Sequence, residues 1–235
     1  MKTILHKAAS RGHANYDWLD TNYTFSFANY YDPERVHFGL LRVLNDDWIA
    51  GGGGFDRHPH DNMEIVTIVL EGELEHKDNM GNTSVIRPGE VQIMSAGTGV
   101  FHSEYNKNQD VPVRLLQIWV FPKEKNITPR YDQRVFDPAK SLNQWQTVVS
   151  PDDPGALWIN QQAWFSRIIL EESISAEYAL HDGKNGAYVF IIDGKAEVAG
   201  LPLDKRDGLG VSETSSFSLK AGKKSEILVI EVQIQ

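Results

Sequence analysis

Two of the eight histidines in this 235-residue chain, His58 and His60, stand two apart in "FDRHPHDNMEIV", directly behind Gly51-Gly52-Gly53-Gly54. In extended backbone, residues two apart point to one side, so both imidazoles face the same way. The spacing returns at His102 and Glu104 in "PGEVQIMSAGTGVFHSEYN", again behind glycines. Two imidazoles from one strand edge, with an imidazole and a carboxylate from another, supply four nitrogen and oxygen donors. Such a set suits iron, manganese, nickel, copper or zinc and leaves positions open for water, oxygen or substrate. An H-x-H alone is more often a surface turn or a satisfied core histidine. Its pairing with H-x-E about forty residues later favours the metal.

Composition narrows the chemistry. The chain has no cysteine, which excludes disulfides, thiolate ligands and a cysteine nucleophile and fits a reducing compartment. Twenty-three basic against 32 acidic residues give a net charge of -9, and no Lys/Arg block draws a phosphate backbone, so no direct nucleic-acid contact is expected. No window approaches the ~18 apolar residues of a membrane span, and the start of the chain has no apolar stretch of signal-peptide length. A soluble cytoplasmic protein is expected.

The residues around the histidines read as strands. Runs such as "HFGLLRVL", "MEIVTIVLEGELEHKD", "VRLLQIWVF", "WFSRIILE" and "SEILVIEVQIQ" are broken by Gly, Asn, Asp and Pro, and none carries a helical apolar stripe. An all-β sandwich or barrel with little helix is predicted. The pattern lapses over residues 127–155, with prolines at 129, 138, 151 and 154, which marks the connection between two β domains, 1–126 and 156–235. "IVTIVLEGELEH" and "AYVFIIDGKAEV" resemble each other, each an apolar strand, an acidic residue and glycine (Glu71-Gly72 or Asp193-Gly194), then a second strand. Each reads as a hairpin, and a duplicated barrel is the economical architecture.

The site residues carry a family resemblance. Gly52, His58, His60, Glu64 and Gly72 are similar to the first cupin motif, with one extra residue before Gly72; Pro88-Gly89, His102 and Asn106 are similar to the second. The wording of these segments, with "YDWLDTNYTFSFANYYDP" near the start, resembles pirin and the bacterial pirin-like proteins, strongly over about the first 135 residues and loosely beyond. The resemblance implies a bicupin of two double-stranded β-helix (jelly-roll) barrels with one metal, in the N-terminal barrel. His58, His60, His102 and Glu104 match the pirin ligands, whereas Glu64 stands where many other cupins place their carboxylate. The parity of both glutamates allows either, and the pirin pattern favours Glu104, with Glu64 as an outer partner.

The same resemblance implies a metal-dependent dioxygenase that opens flavonols such as quercetin with O2 and releases CO, with Glu104 as general base. Iron(II) is the first choice of ion, with Mn, Ni, Co, Cu or Zn as alternatives. The competing reading is a metal-binding sensor acting through protein partners without turnover. In the C-terminal half His181 stands alone, so that barrel is expected to be metal-free. His76, beside a turn, is expected to be exposed, with contact to the outer shell of the site as the second reading; His6, His13 and His37 are expected to be structural. Phe38, Trp48, Phe55 and Phe101 are candidates to line a pocket near the metal, and "TNYTFSFANYYDP" to cap the barrel mouth. The glycine run lacks the helix and Lys of a phosphate loop, so close backbone approach explains it better.

Overall fold

The computed structural model describes residues 1–234, which form twenty strands and two 3₁₀ turns, Ala8–Ser10 and Pro138–Ser141. The expected all-β architecture with little helix is what the chain adopts. The first barrel is built from two sheets. A seven-stranded sheet runs Arg130–Val135, Glu90–Ser95, Glu64–Glu71, Val113–Val120, Leu41–Ile49, Leu19–Tyr23, Gly12–Asn15. A four-stranded sheet runs Gly54–His60, Val100–Asn106, Leu74–Asp78, Thr83–Ile86. The second barrel is one nine-stranded sheet centred on the long strands Asn185–Val198 and Ser216–Gln233. Lys2–His6, from the start of the chain, pairs with Gly208–Ser212 in this second sheet. Of the segment read as the connection, Arg130–Val135 lies at the edge of the first barrel and Gln146–Ser150 pairs within the second.

The strand Glu64–Glu71 is buried along most of its length because both of its faces are covered. Val66 and Ile68, with Leu44, Ile93, Leu116 and Ile118, pack outward against Phe165, Tyr188, Phe190 and Leu228 of the second barrel in one continuous core. The alternate residues point into the first barrel. There the register aligns Asn45 with Gln117, Gln117 with Thr67 and Thr67 with Gln92, one polar side chain per strand in a row across the sheet.

The two hairpins expected at Glu71-Gly72 and Asp193-Gly194 are not hairpins. Glu64–Glu71 and Leu74–Asp78 belong to different sheets, so Gly72 turns a barrel corner. It sits at φ +78, and a Cβ there would lie 2.6 Å from the Pro112 carbonyl oxygen, which leaves glycine as the fitting residue. Gly194 instead lies in a bulged stretch of the single strand Asn185–Val198. The glycine run does make the close approach expected of it: a Cβ on Gly54 would meet the Glu104 carbonyl oxygen at 2.5 Å.

Candidate metal centre

The four-stranded sheet assembles the histidines. His58 and His102 are opposed in register on neighbouring strands, with a bulge between His102 and Glu104. The ring centroids of His58 and His102 lie 4.4 Å apart, and those of His60 lie 4.9 Å from each. One potential ligand atom from each of His58, His60 and His102 falls within 4.8 Å of the others; His76, His102 and Glu104 form a second such group sharing His102. Burial, then the neighbouring His58, holds His60 down at about 4; burial and the surrounding imidazoles hold His102 at about 2. Both rings are neutral at pH 7, the form that binds a metal.

The exposure expected of His76 is not found. Leu74–Asp78 lies between two neighbours in the four-stranded sheet, so His76 is fully buried, its ring stacked on Tyr131. Its Nε2 lies 3.1 Å from Asp78 Oδ2 and its Nδ1 lies 3.3 Å from His102 Nδ1. Burial pushes the Asp78 carboxyl up, but the hydrogen bonds from Asn82, His76 and Met80 outweigh it and hold it below its ordinary range. An ionised Asp78 requires His76 Nε2–H to donate, which leaves His76 Nδ1 as an acceptor for His102 Nδ1–H. His102 Nε2 is then left with a free lone pair, and that buried atom has no hydrogen-bond partner among the described residues. His58 is oriented in the same way, because its Nδ1 donates to the Asp56 carbonyl oxygen at 2.7 Å. An orphaned imidazole nitrogen among neutral imidazoles fits a divalent transition metal.

Asp78→Asn tests this relay. An amide cannot accept every bond that Asp78 accepts, so the His76 and His102 tautomers lose their anchor. The expected result is metal binding weaker by about 10- to 100-fold in chelator competition. Lowered thermal stability with unchanged metal affinity would show the chain of bonds to be structural only.

The two glutamates are separated by the tertiary structure. Glu104 is buried inside the first barrel, where its Oε2 accepts from Gln117 Nε2 at 2.9 Å and its Oε1 lies 3.5 Å from Thr67 Oγ1. Gln92 Nε2 donates in turn to Thr67 at 3.2 Å, so the polar row of the seven-stranded sheet holds this carboxylate. Burial, then the Asp47 carboxyl, pushes Glu104 up to about 7. Glu64 Oε2 accepts from Ser95 Oγ at 2.7 Å and from the Asn160 backbone N–H at 3.1 Å, which ties the first barrel to residues of the second. Asn106, the last residue of the second motif, donates to the Ile49, Ala50 and Val111 carbonyl oxygens and fastens loops.

Beside the imidazoles lies a cavity of about 290 Å³ walled by Trp18, Tyr23, Phe27 and Phe55, with Asn45 and Asp47 also lining it. Phe55 touches His58; Phe27 packs on Trp119, whose ring stands 4.9 Å from His60. Of the four aromatics expected here, only Phe55 lines this cavity. Phe38 packs on Tyr188 in the core between the barrels, Phe101 is exposed under Arg57, and Trp48 faces a separate acidic cleft. The segment expected to cap the mouth does contribute, through Tyr23 and Phe27. In the second barrel, His181 stacks on Trp164 at 4.4 Å and bonds the buried Glu231 at 2.8 Å.

A first barrel with three convergent imidazoles beside an aromatic cavity, followed by a second barrel, defines a bicupin able to bind a metal. The Pirin family matches residues 5–120 and the quercetinase C-terminal cupin domain matches residues 147–232. The quercetin 2,3-dioxygenase of Escherichia coli (strain K12) is 44% identical over 231 residues, covering 97% of each chain. A pirin-like protein of Caulobacter vibrioides is 37% identical over 222 residues, covering 94% of this chain and 95% of its own. The crystal structure of the bacterial pirin YhhW of Escherichia coli, in complex with nickel(II), superposes with a TM-score of 0.94 at 41% identity over 100% of both chains. The chain belongs to the pirin family.

Proposed function

We propose that this protein is a metal-dependent dioxygenase that opens flavonols such as quercetin with O2 and releases CO. The observation that carries the reading is the free Nε2 of His102 in the imidazole cluster, with Phe55 of the aromatic cavity packed on the neighbouring His58. It is supported by the quercetin 2,3-dioxygenase name of the Escherichia coli relative. In this reading His58, His60, His102 and Glu104 hold one divalent transition metal, iron(II) in first place. When bound, the ion supplies a Lewis acid and a template that orients the flavonol oxygens and O2.

The protein's own residues do the rest. Trp18, Tyr23, Phe27 and Phe55 take up the planar rings and exclude water. Glu104 takes the proton of the flavonol 3-hydroxyl, and Gln117 and Thr67 orient its carboxylate. The absence of cysteine fits work in a reducing compartment, and we place the protein in the cytoplasm.

The expected result is one metal per chain by elemental analysis, with quercetin consumed in air alongside O2 uptake and CO release. Chelation or removal of oxygen should stop the reaction. Loss of flavonol absorbance that continues without oxygen, or no turnover by fully metallated protein, would overturn the assignment.

A further inference from the structure

The wall of the aromatic cavity includes a buried polar side chain that the metal centre does not use. Asn45 is 4% exposed and lines the cavity, and its Oδ1 is buried without a hydrogen-bond partner among the described residues. Its neighbour two residues on, Asp47, is already engaged by Thr21 Oγ1. Asn45 is paired in register with Gln117, whose Nε2 donates to Glu104, so it sits one strand beyond Gln117 on the same face of the seven-stranded sheet. An unpaired buried amide oxygen in the wall of an apolar cavity is costly, and a ligand that brings an O–H to it recovers that cost.

We propose that Asn45 is a specificity-determining residue, accepting a hydrogen bond from a ring hydroxyl of the aromatic substrate other than the one directed at the metal. This rests on the flavonol reading and sharpens it to polyhydroxylated ring systems. A cavity walled by aromatics alone discriminates weakly against a missing hydroxyl, whereas a buried acceptor left unpaired by the wrong ligand discriminates strongly.

The test is anaerobic titration of the metal-loaded protein, by tryptophan fluorescence, with quercetin and with 3-hydroxyflavone, which keeps the metal-directed hydroxyl and carbonyl and lacks the other hydroxyls. Asn45→Leu should weaken quercetin binding by about 10- to 100-fold while leaving 3-hydroxyflavone nearly unchanged. Asn45→Asp, which keeps an acceptor at that place, should retain most of the preference. Metal content and circular dichroism confirm that each variant is folded and loaded. Equal weakening of both ligands by Asn45→Leu, or an unchanged ratio, overturns the role of Asn45 and leaves the flavonol reading intact. Wild-type protein that binds neither ligand overturns the flavonol reading itself, and this assignment with it.

Discussion

His102→Ala is expected to leave the protein with essentially no bound metal and no turnover. Three features converge on this ring. It lies between His58 and His60 on one side and His76 on the other, it is neutral because burial holds it at about 2, and its Nε2 has no partner among the described residues. Removing a donor from a three-imidazole set costs more than the ~10–100-fold typical of an outer partner. Because His102 is buried, His58→Ala is the companion variant: His58 is only half-buried, so its loss tests the metal with less disturbance to packing. His181→Ala supplies the contrast. It takes a partner from the buried Glu231 and a stacking surface from Trp164, so it should lower stability by about 1–3 kcal/mol while metal content is unchanged. Full metal content in both His102→Ala and His58→Ala would place the ion elsewhere.

Glu104→Gln and Glu64→Gln should give opposite results. Glu104 shares a strand and a face with His102 and is steadied by Gln117, so its amide should retain metal poorly and abolish activity. Glu64 faces Ser95 and the Asn160 backbone N–H, so Glu64→Gln should keep the metal and lose at most part of the activity, in the ~10–100-fold range. Its effect appears instead in the pH dependence of folding. Burial raises the Glu64 carboxyl from 4.5 to about 7. Between those values the folded protein holds a proton that the unfolded chain has released. The contribution of Glu64 is therefore fully present below about 4.5 and is lost as pH rises through about 7. Glu64→Gln, which mimics the protonated form, should gain on the wild type in denaturant midpoint between pH 5 and pH 8. If Glu64→Gln loses its metal while Glu104→Gln keeps it, the fourth donor has been assigned to the wrong glutamate.

What the sequence determined by itself was local or periodic. His58 with His60 and His102 with Glu104 were readable because a two-residue spacing in extended backbone puts side chains on one face, whatever the strand pairs with. Strand runs without a helical stripe likewise carried the all-β class. Whatever depended on pairing between distant strands was decided by the tertiary structure. Glu64 and Glu104 have equivalent parity in sequence, yet they lie on different sheets, one bonded toward the second barrel and the other inside the first. His76 reads as exposed beside a turn, but Leu74–Asp78 is enclosed between two strands, and burial there makes His76 the link from Asp78 to His102. The two glycines that suggested hairpins both take positive φ, which a corner and a bulge demand as much as a tight turn does. Asn45 reaches the cavity, and Trp119 reaches His60, through register with strands far away in the chain, because side-chain direction is a local property and the identity of the facing strand is not.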